Sequence, residues 1–367
     1  MSTSIRVSLG ERSYDILTAP SYAALPPALA RLGLPRWACV VSHPALLDRF
    51  GAGLLGPLRR AGWDVKTITV PESERSKSYA MAERVLQQLA RLAVMQEPLL
   101  LAFGGGVVGD LTGFVASVFR RGVPYVQLPT TLLAQVDSAI GGKVGVDLPF
   151  AKNFVGAFYQ PRLVVNHLGA LRSLPLRQRR SGLGEIIKYG VMADRELFRY
   201  LETHAEACVE GRPAALRVIV PRCCRIKARL VSQDERETRG LRTRLNFGHT
   251  LGHALETATG YRRFTHGEAI AIGMVAASRV SVEMGLMPAA DAGRVEALLR
   301  AIGLPARAAG VSWPTVARAM RFDKKFLHGR MRWVLSRGIG RVVVRQDVPP
   351  SLIERVSRSC LTGLSRP

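Results

Sequence analysis

The rhythm of hydrophobic positions changes partway along the chain. In the first half, short β-branched runs alternate with stretches whose apolar residues recur every three or four positions. Residues 37–41, 65–70, 99–103 and 125–128 read as strands, and 45–61, 79–92 and 111–118 as helices. This alternation predicts a parallel sheet with helices on both faces. From about residue 174 long amphipathic helices take over, at 196–209, 213–232 and 266–284. The expected architecture is an α/β N-terminal domain with a parallel sheet, residues 1–172, followed by an all-α C-terminal domain, residues 173–367. Length agrees, since 367 residues exceed one ordinary core. Open α/β sheets bind ligands at the carboxyl ends of their strands, so a cleft facing the helical half is expected.

One strand leads into a turn with chemistry in it. Residues 99–103 run straight into Gly104, Gly105, Gly106, Val107, Val108, Gly109 and Asp110, and then into a helix. Strand, glycine turn and helix in that order point bare backbone N–H groups at a pyrophosphate. A Cβ would block that approach. The segment predicts a dinucleotide-binding domain, although it lies deep in the domain instead of at its first turn. A tight turn without a ligand is the alternative.

Charge adds a partner question. The net charge is +24 and the isoelectric point about 11.0. The basic residues are spread along the chain without a tail or interleaved aromatics, so no nucleic-acid partner is expected. A field that draws in small anions fits better, beside the plain reading of an arginine-rich surface. The most apolar stretch, residues 99–119, is interrupted by Gly104, Gly105, Gly106, Gly109 and Asp110, which argues against a membrane span. Cys39, Cys208, Cys223, Cys224 and Cys360 are odd in number and form no CxxC pair, as expected of reduced cytoplasmic thiols.

Of the 52 basic residues only eight are lysines: Lys66, Lys77, Lys143, Lys152, Lys188, Lys227, Lys324 and Lys325. Asparagine occurs three times, at Asn153, Asn166 and Asn246. Where arginine serves every generic charge, surviving lysines mark positions that need a compact ammonium.

Three of seven histidines fall close together: His249, His253 and His266. His249 and His253 are one helical turn apart and share a face. Upstream lies Glu185 in Gly184-Glu185-Ile186-Ile187-Lys188, a carboxylate among apolar residues on a helix expected to be buried. Two histidines and a carboxylate compose a catalytic zinc site. Satisfied core histidines are the alternative, and spacing alone would pair His249 with His253. His43, His167, His204 and His328 stand alone and read as surface or packing residues. A further stretch gathers Thr130, Thr131, Asp137, Ser138, Lys143, Lys152 and Asn153 among apolar neighbours that include Phe150. It concentrates donors for phosphate or carboxylate, with Asp137 able to bind hydroxyls.

Six segments together, GGGVVGDLTGF, LPTTLLAQVDSAIGGKVGV, KNFVGAFYQP, GEIIKYG, LNFGHTLGHALE and HGEAIAIGM, resemble the 3-dehydroquinate synthases. These belong to a wider family of sugar-phosphate cyclases and metal-dependent polyol dehydrogenases. The resemblance implies conversion of 3-deoxy-D-arabino-heptulosonate 7-phosphate to 3-dehydroquinate plus phosphate, in the shikimate pathway of aromatic amino acid biosynthesis. It implies NAD and Zn2+ (Co2+ possible) as cofactors, with zinc held by Glu185, His249 and His266 and His253 turned toward the substrate phosphate. NAD contacts would be Glu74, Lys77, Gly105, Gly106, Asp110, Thr130, Thr131 and Leu133, with Lys152 bridging NAD and substrate. Catalytic and substrate contacts would be Asp137, Lys143, Asn153, Lys188, Lys227, Arg242, Asn246 and Lys324. Arg121 would reach the substrate of a neighbouring subunit, implying a homodimer. In the implied cycle NAD+ takes a hydride from C5, phosphate leaves, the hydride returns, and an aldol step closes the ring.

The chain departs from the family pattern at Ser42-His43-Pro44, Ser73, Asn166-His167 and Gln178, and Arg239 resembles a one-residue insertion. The first four bear on NAD binding. The competing function is another NAD- and metal-dependent sugar-phosphate cyclase.

Overall fold

In the N-terminal half the strands at Trp37–Ser42, Leu99–Gly104 and Tyr125–Pro129 are buried along their whole length, which is why they read as mostly apolar runs without alternation. The computed structural model describes residues 3–148, 151–321, 326–327 and 330–362. Its chain divides into two compact units, residues 1–174 with 220–236 and residues 175–219 with 237–367. The sequence pattern had suggested a single boundary after residue 172.

In the first unit β1 (Thr3–Val7), β2 (Tyr14–Ala19), β3 (Trp37–Ser42), β4 (Asp64–Thr69), β5 (Leu99–Gly104) and β6 (Tyr125–Pro129) join one sheet. A separate antiparallel hairpin pairs β7 (Lys143–Leu148) with β8 (Ala151–Phe158), and β9 (Leu163–His167) returns to the sheet. The strand order is β1-β2-β9-β6-β5-β3-β4, and only β1 pairs antiparallel. Along β3 side chains alternate between two cores. Trp37, Cys39 and Val41 join Leu100, Leu111 and Phe114 on one face. Ala38 and Val40 join Leu101, Phe103 and Val126 on the other. Each buried Leu or Val contributes about 1.5–3 kcal/mol, so an aspartate at position 40 would break the sheet at its centre.

Helices α1 (Leu25–Arg31), α2 (Pro44–Arg60), α3 (Tyr79–Leu92) and α4 (Gly106–Val118) connect the strands. The chain order reverses between β3 and β5, and α4 starts directly after β5 at that switch point. The 143–158 hairpin was not legible as strands. Its glycines and lysines hide the alternation, and Gly145 and Gly156 face each other across it.

The second unit is helical: α5 (Leu176–Ala193), α6 (Arg195–Thr203), α7 (Ala205–Glu210), the start of α8 (Pro213–Gln233), α9 (His249–Ala258), α10 (His266–Glu283), α11 (Ala289–Ile302), α12 (Trp313–Arg321) and α13 (Pro350–Ser359). Short two-stranded ribbons accompany them, such as Trp333–Ser336 with Val342–Arg345. Helix α10 is buried on nearly every side and packs against α5, α9, α11 and α13. The single helix expected over 196–209 is broken at His204, whose φ of −127° leaves the helical region. Thr203 Oγ1 bonds back to the Arg199 and Tyr200 carbonyls and His204 stacks on Tyr200, so local side chains compete with the helical ladder. Among the described residues no helix is long and apolar enough to cross a membrane.

Candidate active site

Helix α5 carries Glu185 at 0% exposure and Lys188 at 1%. Charges this deep need partners, and Lys188 Nζ donates to Glu185 Oε2. Glu185 Oε1 faces two imidazoles, 3.6 Å from His249 Nε2 and 3.5 Å from His266 Nε2. The second nitrogen of each ring meets an acceptor. His249 Nδ1 is 3.2 Å from the Phe247 carbonyl oxygen, and His266 Nδ1 is 3.3 Å from Glu256 Oε1. Those oxygens only accept, so each ring carries a proton on Nδ1 and turns Nε2 toward Glu185. Burial works to lower the His266 pKa, yet hydrogen bonds to Glu185 and Glu256 and their charges push it up to about 10. A cation at Nε2 competes with that second proton.

The ligand atoms of Glu185, His249 and His266 lie within 4.8 Å of one another. One carboxylate and two imidazoles with room for a further ligand suit a catalytic divalent cation. Close helix packing makes this convergence possible. A Cβ on Gly267, one residue into α10, would sit 2.1 Å from the Ser181 carbonyl oxygen of α5. A Cβ on Gly273 would sit 1.8 Å from the Gly248 carbonyl oxygen, at the start of α9. Only glycine lets the backbones meet there. His253 is half-buried, its ring centre 5.0 Å from that of His249 and 6.0 Å from that of His266. It falls in a second group with Glu256 and His266, whose ligand atoms also lie within 4.8 Å. Among the described residues no such group holds both His249 and His253. Arg242 is buried with its Nε 3.3 Å from Glu237 Oε1, and Asn246 closes the short turn Leu241–Asn246. Lys324 and His328 lie outside the described residues.

In the other unit the glycine turn stands where strand order reverses. Gly105 precedes α4, whose first turn has no side-chain cap, leaving its amides for a ligand. Thr130 N donates to the Gly104 carbonyl oxygen at 2.9 Å, and Thr131 Oγ1 accepts from Ala134 N, which fixes the Thr130–Leu133 turn beside it. Lys77 is buried and donates to Asp110 and to Asn153 Oδ1. Burial pushes the Asp110 carboxyl up, opposed by the Lys77 ammonium. Asn153 takes the left-handed conformation at φ +54°, and its N–H donates to Asp147 Oδ1 at 2.7 Å. Glu74 pairs with Lys152. Asp137 lies in a π-helical turn, Ala134–Ser138, and accepts from Lys227 Nζ at 2.7 Å through Oδ1 and 2.6 Å through its carbonyl oxygen. Lys143 opens β7 and is exposed. Arg120 and Arg121 take φ +48° and +66°, and the Arg120 guanidinium donates to the Ala93, Val94 and Gln96 carbonyl oxygens.

The departures have local explanations. Ser73 Oγ accepts from Arg75 N and caps the turn Glu74–Ser76. Ser42 Oγ donates to the Phe103 carbonyl oxygen, and buried His43 Nδ1 donates to that of Val70. Asn166 donates to the Gln135 carbonyl oxygen, and His167 packs edge-on against Tyr22. Gln178 and Arg239 are exposed. Glu256 was not singled out from the sequence. Its place seven residues after His249 and three after His253, on the same helical face, was the available signal.

The family described as 3-dehydroquinate synthase N-terminal matches residues 67–181, and the one described as 3-dehydroquinate synthase C-terminal matches residues 182–326. A 3-dehydroquinate synthase of Nostoc punctiforme is 42% identical over 360 residues, covering 97% of this chain and 99% of its own. One from Pelobacter propionicus is 45% identical over 344 residues, covering 93% and 95%. Among solved structures, 2-epi-5-epi-valiolone synthase of Streptomyces hygroscopicus, with NAD+ and Zn2+ bound, is 30% identical at a TM-score of 0.87, covering 96% of this chain and 98% of that one. A 2-deoxy-scyllo-inosose synthase complexed with carbaglucose-6-phosphate, NAD+ and Co2+ is 25% identical at 0.84, covering 98% and 100%.

Proposed function

The chain belongs to the 3-dehydroquinate synthase family, and from that premise we propose that it converts 3-deoxy-D-arabino-heptulosonate 7-phosphate to 3-dehydroquinate and phosphate. The observation that carries this reading is the meeting of Glu185 Oε1, His249 Nε2 and His266 Nε2 on three packed helices. In this reading a zinc ion there supplies Lewis acidity toward the substrate's hydroxyls, and NAD at the Gly105–α4 turn supplies a reversible hydride acceptor.

The remaining roles belong to side chains. Lys188 donates to Glu185 and orients it. Lys188, Arg242, Asn246 and His253 give the helical unit cations and hydrogen bonds suited to an anionic sugar. In the N-terminal unit Lys227 orients Asp137 to accept from a hydroxyl. Lys143 and Asn153 add donors, and Lys77, Asp110, Glu74, Lys152, Thr130 and Thr131 frame the dinucleotide. We assign Arg121 to the substrate of a second copy of the chain. The left-handed Arg120–Arg121 pair supports this, with Val94 65% and Met95 89% exposed beside the Arg120 anchor. Five buried cysteine thiols agree with a cytoplasmic enzyme.

Purified protein loaded with zinc and NAD should release inorganic phosphate from the heptulosonate substrate, and chelation should stop it. No release from the loaded protein would overturn the assignment. A substrate panel with glucose 6-phosphate and sedoheptulose 7-phosphate separates it from the other cyclases. Sedimentation at micromolar concentration should show a dimer.

A further inference from the structure

The two imidazoles of the metal cluster are oriented by different kinds of partner. His249 Nδ1 donates to a neutral backbone oxygen, that of Phe247. His266 Nδ1 donates to a carboxylate, Glu256 Oε1, at 3.3 Å. Glu256 is 13% exposed and projects from α9, the helix that also carries His249. Helix α9 therefore holds one ligand itself and steers the ligand of α10.

We infer that Glu256 is the positioning residue of the metal centre: it fixes the His266 tautomer and ring plane, and its charge strengthens the metal's hold. The inference rests on the metal reading above and adds a residue to it. An imidazole has two nitrogens and a free χ2, so a ligand His with no partner on its far side can rotate or swap tautomers. A carboxylate on Nδ1 removes both freedoms and makes Nε2 a stronger donor. Charge supports the same role. With His266 neutral, as a metal ligand must be, Glu185 and Glu256 bring two negative charges against the ammonium of Lys188, an excess that a divalent cation offsets. The competing arrangement puts the ion on His253, Glu256 and His266 directly, since those atoms also lie within 4.8 Å. It has less in its favour, because it leaves out the wholly buried Glu185 carboxylate, whose Oε1 faces Nε2 of both His249 and His266.

The test measures metal affinity of the full chain by competition with a chromophoric chelator, for zinc and cobalt, and records the visible spectrum of the cobalt form. E256A should lose about 10–100-fold in affinity and shift the cobalt bands, as outer-sphere carboxylates do elsewhere. E256Q, which keeps size and a neutral acceptor, should fall between E256A and wild type, and E256D should recover part of the loss. H253A should keep wild-type metal affinity within about threefold, because it leaves Glu185, His249, His266 and Glu256 in place. E256A and E256Q both binding zinc like wild type, with unchanged cobalt bands, would overturn the inference. A loss in H253A as large as in E256A would also overturn it, by moving the ion to the other group. E185Q run alongside separates the two levels. If E185Q binds metal normally the metal reading itself falls, and if E185Q fails while E256A does not, only the role of Glu256 falls.

Discussion

The two clusters handle charge in opposite ways. In the helical unit Glu185 is wholly buried, its surroundings are held by backbone-to-backbone contact, and carboxylates outnumber ammonium groups. In the N-terminal unit three acids are paired with lysines: Asp110 with Lys77, Glu74 with Lys152, Asp137 with Lys227. Glu74 is 55% exposed and Asp137 25%, so water reaches those pairs. The first arrangement is rigid, and its excess of carboxylates is met by a proton on His266 or by a cation in its place. The second is neutral within itself and partly solvated, so a dinucleotide or sugar phosphate can exchange for internal partners at low cost.

The largest effect should come from breaking the rigid cluster at its centre. E185Q should lower phosphate release by about a thousandfold, since losing a Lewis acid worth about 4 kcal/mol costs that much. Steady-state assay with metal analysis of the same preparation checks it. A variant that keeps its metal but loses activity would argue that Glu185 acts by other means.

Two glycine-to-alanine changes sharpen the contrast. G267A forces a Cβ to 2.1 Å from the Ser181 carbonyl oxygen, and should cost about 3 kcal/mol in denaturant stability along with metal affinity. G105A meets only the movable Thr131 methyl at 3.0 Å. It should weaken NAD binding by about 1.4 kcal/mol, or tenfold, and leave stability nearly unchanged. Equal stability losses in the two variants would erase the distinction.

Smaller effects concern the whole field. With a net charge of +24, capture of an anionic substrate should weaken with salt. Raising ionic strength from about 0.01 to about 0.15 M shortens the screening length from about 30 to about 8 Å and should depress kcat/KM several-fold. A flat profile would confine the electrostatics to the site. The smallest effect is local to the N-terminal unit. The Arg12 hydrogen bond holds Glu235 below its ordinary pKa of 4.5. Its stabilisation is therefore full above pH 4.5 and is lost as acid passes through the lower folded value. E235Q should lower Tm by about a degree at neutral pH, with the gap closing below pH 4.5, as calorimetry across pH would record.

Much of this was readable from local pattern. The strands at β3, β5 and β6 and the start of α10 at His266 stand within a residue of where periodicity put them, while α4 begins at Gly106, five residues before the expected 111. The break at His204 was not readable, because side-chain bonds from Thr203 and His204 to nearby carbonyls leave no mark in the apolar spacing. Resemblance to known synthases supplied the trio Glu185, His249 and His266, where spacing alone left His249 and His253 as the natural pair.

By itself the sequence determined the kind of each element and the chemical types at hand, since helical and strand periods are properties of neighbours along the chain. It also placed a glycine turn between a strand and a helix, again a local matter. Tertiary structure alone decided which nitrogen of each imidazole faces Glu185, that Glu256 stands behind His266, and that Lys227 reaches Asp137 from 90 residues away. The first two depend on how closely backbones approach, at Gly267 against Ser181 and Gly273 against Gly248. Such approach is set by packing between distant segments, which no periodicity encodes.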